Sequence, residues 1–118
     1  MAGVYGEIDS NASFHRVLGE AINVVHRVLA RTPGNGTMQR ILKQLDAMKL
    51  WTRNGLKPSD GQRRSIDVGL VAARELSDAT GEVHELAEKL FALNNYFEDW
   101  PTDEEAANAT EEDFFDDE

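Results

Sequence analysis

Phe14-His15-Arg16-Val17-Leu18-Gly19-Glu20-Ala21-Ile22-Asn23-Val24-Val25-His26-Arg27-Val28-Leu29 decides the fold class. Its apolar residues Phe14, Val17, Leu18, Ala21, Ile22, Val25, Val28 and Leu29 recur at i, i+3, i+4 and i+7, the period of a helix that buries one stripe. No stretch of the chain alternates with a two-residue period long enough for a convincing strand. Ser10 or Ser13 can cap this first helix. Thr32-Pro33-Gly34-Asn35-Gly36 stops it, because Pro disfavours helical backbone in the residue before it.

Working outward, the same period returns three times. Met38, Ile41, Leu42, Leu45 and Met48 predict a second helix from a cap at Thr37 to about Arg53, closed by Asn54-Gly55. Ser59 and Gln62 have capping-box spacing and predict a third helix with Ile66, Leu70, Ala73 and Leu76 as its inner stripe. Gly69 shares that face, where a missing side chain lets a neighbouring helix come close. Asp78 or Thr80 begins a fourth helix, with Val83, Leu86, Ala87, Leu90, Leu93, Asn94 and Phe97 on one side and an end near Trp100-Pro101. Short connections suit helices packing on their sequence neighbours, so the reading is all-α: an antiparallel bundle of about four helices. Residues 1–12 are expected as a loose lead-in, 13–100 as the helical domain and 101–118 as a disordered acidic tail.

The 118 residues carry 12 Lys and Arg against 22 Asp and Glu, a net charge of −10, and no cysteine. Nine of the acids lie between Pro101 and Glu118, so residues 1–100 are nearly neutral, with 13 acids against 12 bases. That argues against a nucleic-acid binder that grips phosphate through a basic excess, and the missing thiols exclude disulfides and thiolate metal sites. The first residues lack a signal-peptide pattern and no apolar run reaches the roughly 20 residues that span a bilayer, so a cytoplasmic location with no membrane or nucleic-acid partner is expected. The body is divided internally. Residues 13–74 hold 11 bases and 4 acids, whereas residues 75–100 hold one base and seven acids.

Candidates for catalysis are thin. His15 and His26 fall on nearly the same helical face but roughly 16 Å apart along the axis, too far to share a metal ion. His84 lacks an i, i+4 histidine partner. Arg63 and Asp67 are spaced for an exposed intrahelical ion pair. No phosphate loop or nucleophile elbow is present. The expectation is a non-enzymatic protein with no cofactor and no metal. Binding chemistry is better represented: Glu82, Glu85 and Glu88 form an acidic ridge on the fourth helix, and Tyr96, Glu98, Asp99 and Trp100 mix aromatic contact area with carboxylates at its end. These seven residues are the candidate partner-binding set.

Three strings add a family resemblance: Val28-Leu29-Ala30-Arg31 followed by Pro33, Ile41-Leu42-Lys43-Gln44-Leu45-Asp46, and Ile66-Asp67-Val68-Gly69-Leu70-Val71-Ala72-Ala73-Arg74-Glu75-Leu76. Across residues 14–100 the chain resembles the small helical immunity proteins that protect bacteria from type VI secretion effectors, in particular relatives of the one that neutralises a NAD(P)+-hydrolysing effector. The resemblance implies an inhibitor that binds one cognate toxin, encoded by an adjacent gene, and occludes its active site without chemistry of its own. It implies a nucleotide-targeting toxin. The acidic tail departs from the family pattern and supports an alternative, an acidic adaptor or chaperone-like protein whose tail competes for a basic or nucleic-acid-binding surface.

Overall fold

A computed structural model describes residues 5–115, and every regular element in that span is helical. Helix α1 runs Asn11–Arg31 and α2 Gly36–Trp51, followed by a 3-10 turn at Arg53–Gly55; α3 is Asp60–Ser65, α4 Val68–Glu75, α5 Gly81–Asp99 and α6 Asp103–Phe115. Helix α1 packs on α2 and α5, α4 packs on α5 and α2, and α3 lies against α5. These contacts close a ring of α1, α2, α4 and α5 around the core.

Local chemistry sets the helix starts. Ser10 caps α1 by accepting from the Ser13 amide in a capping box, and Ser59 and Gln62 form the box expected of them at α3. Helix α2 is capped by Asn35, whose Oδ1 accepts from the Met38 amide at 3.0 Å, not by Thr37. Asn extends its carbonyl to the N3 amide as readily as Thr does, and the chain begins its helix two residues sooner. After α2, Asn54 and Gly55 both adopt left-handed backbone, φ 57° and 79°, which glycine and asparagine tolerate best.

The predicted third helix is two helices. Ile66 and Asp67 leave helical geometry, and that break resets the phase of everything after it. Val68, Gly69, Ala72 and Leu76 therefore turn inward, while Leu70 and Ala73, expected on the inner stripe, are exposed. Partners distant in sequence hold the break. Gln44 of α2 donates from Nε2 to Asp67 Oδ1 at 2.6 Å and accepts the Asp67 amide at 2.8 Å. Asn94 of α5 accepts the Gly69 amide at 2.7 Å, capping α4 from a neighbouring helix where Asp67 does not. Gly69 allows the close approach inferred for it: a Cβ there would stand 3.2 Å from both Cβ and Oδ1 of Asn94.

Both ends of the chain also depart from expectation. The lead-in is packed from Tyr5 onward, with Tyr5 and Ile8 in the core; residues 1–4 lie outside the described span. The tail expected to be disordered forms α6 over Asp103–Phe115, and residues 116–118 lie outside the described span. Thr102 and Glu105 make a capping box, Asp103 Oδ1 accepts the Asn11 amide at 2.7 Å, and Ala106 is buried. Composition favoured disorder, but one small buried residue and a satisfied cap are enough to seat the first turns.

The ends of α1, α2 and α5 meet in an aromatic cluster. Phe14 stacks on Tyr96 at 5.0 Å between centroids and on Phe97 at 6.4 Å, Trp51 stacks on Phe97 at 6.4 Å, and Trp100 sits edge-on to Phe14 at 5.4 Å. Trp100 ends α5 in left-handed backbone, φ 43°. Such geometry is unfavourable for a bulky residue, and the packing of its indole against three other rings holds it there.

Candidate functional site

Helix α5 supplies the long exposed face. His84, Glu88, Phe91, Asn95 and Glu98 are exposed and alternate by four and three residues, so they form one outward stripe about 21 Å long on a 1.5 Å rise per residue. Glu85 flanks it and is exposed. Within the stripe His84 Nε2 lies 3.9 Å from Glu88 Oε2.

The seven sequence-derived candidates divide sharply on this geometry. Glu85, Glu88, Glu98 and Asp99 face solvent. Glu82 turns to α1 instead, pairing with Arg27 Nε at 2.6 Å and Arg31 Nη2 at 3.3 Å, and the Arg27 contact, followed by Arg31, holds its carboxyl below the usual range despite some desolvation. Tyr96 is fully buried, sandwiched between Tyr5, Phe14 and Trp100, so its expected place on a binding surface is corrected to the core. Trp100 is half-buried in the same cluster. A residue that fills an aromatic core cannot also stand as an anchor outside it.

The charge division along the chain has an internal use. Lys89, the single base of residues 75–100, bridges Glu7 at 3.1 Å and Glu20 at 3.3 Å, and Arg16 joins the same two carboxylates at 3.3 and 3.1 Å. These contacts bind the chain start, α1 and α5 together. The α5 carboxylates that take no part in these bridges, Glu85, Glu88, Glu98 and Asp99, lie on the outward side and at the C-terminal end.

At that end lies a groove of about 640 Å³ lined by Tyr5, Arg63, Glu98, Asp99, Pro101, Glu105, Asn108 and Ala109. Tyr5 donates its hydroxyl to Asp99 Oδ2 at 2.8 Å, and burial, then the Asp99 carboxylate, push the phenol up. Arg63 reaches from α3 to the end of α5, donating from Nη1 to the carbonyls of Glu98 at 3.1 Å and Asp99 at 3.4 Å and from Nη2 to Asp60. The Arg63–Asp67 pair expected from spacing is thus replaced by Arg63–Asp60. The break at Ile66–Asp67 carries Asp67 away, and the α5 carbonyls, the negative end of that helix, draw the guanidinium. Among the described lining residues Arg63 is the one cation, and Asp60 neutralises it, leaving Glu98, Asp99 and Glu105 to set the sign of the groove. The groove suits an ammonium or guanidinium group. Among the described residues no group of three or more His, Cys, Asp and Glu is arranged to hold a metal ion, and no helix is long and apolar enough to cross a membrane.

Phe91, Tyr5, Arg63 and Glu105 stand on this face or in this groove outside the sequence-derived set. Phe91 was legible as the large apolar residue off the inner stripe of its helix, and Thr102-x-x-Glu105 has the capping-box spacing that marks α6. Tyr5 reaches Asp99, and Arg63 the α5 carbonyls, across long stretches of chain that leave no local signal; the Arg63–Asp60 pair is the local part of the arrangement.

A family model described as Tsi6 matches residues 14–99, which runs from the first turn of α1 to the last residue of α5. Neither a curated protein nor a solved structure matches the chain.

Proposed function

The chain belongs to the Tsi6 family of type VI secretion immunity proteins, and on that premise we propose that it neutralises one cognate effector by lying across its active site with the outward face of α5. The observation that carries this reading is the row of exposed carboxylates Glu85, Glu88, Glu98 and Asp99, none bridged to a Lys or Arg side chain among the described residues, running down α5 into the groove at its end. A toxin that handles an anionic nucleotide holds its substrate with basic groups. Those groups are the natural counterpart of this row, and a helix about 21 Å along its exposed stripe is long enough to close an active-site mouth. The groove then takes a lysine or arginine of the toxin between Glu98 and Glu105. Inhibition is steric, and no residue of this chain needs to react. The mechanism is set in the cytoplasm, with the toxin encoded beside this chain.

Tyr96 and Trp100 serve this surface from behind. By packing on Phe14 they fix the direction in which the last turn of α5 presents Glu98 and Asp99. Co-expression tests the reading. Cells making the neighbouring toxin survive when they also make this protein, and protection is lost when Glu85, Glu88 and Glu98 are all changed to Lys. Equal killing with and without the wild-type protein refutes it.

A further inference from the structure

Exposed large apolar side chains need an account when they lie together. Phe91 is 41% exposed and stands in the middle of the α5 stripe, three residues after Glu88 and seven before Glu98. Leu70 is 50% exposed and follows Gly69, the residue where α4 touches α5, while Phe91 lies one turn before Asn94, the residue that Gly69 touches. The two side chains therefore flank one helix crossing. An amphipathic helix gains nothing for its own fold by turning a phenylalanine outward, and an exposed aromatic within a row of carboxylates, with an exposed leucine at the same helix crossing, has the composition of an interface centre.

We infer that Phe91, with Leu70 beside it, is the apolar anchor of the complex: it seats in an apolar socket of the toxin that is rimmed by lysine or arginine. This rests on the reading of the α5 face given above and divides the labour within it. Carboxylates on a rim act mainly on encounter, whereas a desolvated aromatic anchor acts on residence. The anchor also sets specificity. A toxin with the same basic rim but no socket meets the face and leaves it.

The division gives a kinetic test against the toxin domain encoded beside this chain, immobilised for biosensor measurements at low and physiological salt. Phe91→Ala is expected to dissociate about tenfold faster or more, with its association rate and salt dependence unchanged. Phe91→Leu keeps most of the residence time, and Leu70→Ser shortens it. Glu88→Lys slows association, and more so at low salt. Circular dichroism melts confirm that each variant folds, which the exposure of both apolar residues leads one to expect; should Phe91→Ala unfold, Phe91→Leu and Leu70→Ser carry the same comparison. Unchanged dissociation for both Phe91→Ala and Leu70→Ser, with Glu88→Lys still slowing association, overturns the anchor and leaves the α5 face standing. If Glu88→Lys also binds as wild type does, the face itself is not used and both readings fall.

Discussion

Gly69→Ala is the most informative single change in the fold. The added methyl would lie 3.2 Å from Cβ and Oδ1 of Asn94 and 3.4 Å from its Cγ. Because one of these atoms is the Asn94 Cβ, fixed by the α5 backbone, no rotation of Asn94 relieves the contact. Overpacking of this kind costs about 1–3 kcal/mol, and the better helix propensity of alanine returns at most about 1 kcal/mol. Separation of α4 from α5 also stretches the 2.7 Å bond from the Gly69 amide to Asn94 Oδ1, a part-buried contact worth about 1 kcal/mol. The net expectation is a loss of about 1–2 kcal/mol, or a fall in Tm of about 4–10 °C for a domain of this size. Thermal and urea denaturation followed by circular dichroism measure it. A double-mutant cycle isolates the cause: in an Asn94→Gly background, which removes the Cβ as well as the amide, the clash is gone, so Gly69→Ala should there be neutral or stabilising, with a coupling of about 1–2 kcal/mol. A Tm unchanged or raised by Gly69→Ala, or the same loss in both backgrounds, refutes the argument that the missing methyl of Gly69 is what lets α4 pack so close to α5.

Phe97→Ala removes the ring that Phe14, Trp51 and Trp100 share and should cost about 3–5 kcal/mol, read as a lowered urea midpoint with loss of near-ultraviolet aromatic signal. Acid should weaken the fold. The carboxyls of Asp60, held by Arg63, of Glu82, held by Arg27, and of Glu20, where Lys89 and Arg16 outweigh desolvation, all sit below their usual values when folded. Their contribution is complete above the unfolded carboxyl pKa of about 4 and drains away as pH falls through the folded values, so the urea midpoint should drop below about pH 4. Glu82→Gln should start slightly less stable near neutral pH and lose less on acidification; a midpoint that rises in acid contradicts this assignment. Deleting residues 103–118 should leave protection against the toxin largely intact, in a survival assay, at a modest cost in stability. Complete loss of protection would favour the adaptor reading in which the acidic tail is the active part.

The helices that bury a continuous stripe were legible, because a 3.6-residue period such as Phe14 to Leu29 reports directly on which side meets the core. Caps that depend on neighbours in sequence were legible too, as at Ser59 and Gln62. The break at Ile66–Asp67 was not. It is held by Gln44 and Asn94, and no local pattern announces a hydrogen bond from another helix. That single miss misplaced Leu70 and Ala73 on the inside and Asp67 beside Arg63. At the candidate site, counting charge finds the carboxylates, whereas Tyr96 and Trp100 are expected on the surface by residue type and Phe97 on the inner stripe by its spacing. Tyr96 belonged to the core and Phe91 to the exterior because position on the helix, not residue class, decides burial. The acidic tail misled for the opposite reason: composition describes an average, and Ala106 with the Thr102 cap is a local exception to it.

Helix α4 carries one further consequence, for the order of folding. At eight residues it is shorter than the 12–15 below which isolated helices are marginal in water. Its start is held from outside, by Gln44 and Asn94, which stand 23 and 25 residues away in the chain from the groups they bind. Helices α1 and α2 pair across one short turn and α4 and α5 across another, but the start of α4 is complete only when Gln44 of α2 joins them. If that start forms after the main barrier, Gly69→Ala accelerates unfolding far more than it slows folding; equal effects on the two rates place it within the barrier. Any partner that grips Leu70 and Phe91 together pins this short element to α5, and the bound protein would then resist unfolding on a timescale set by the partner's departure.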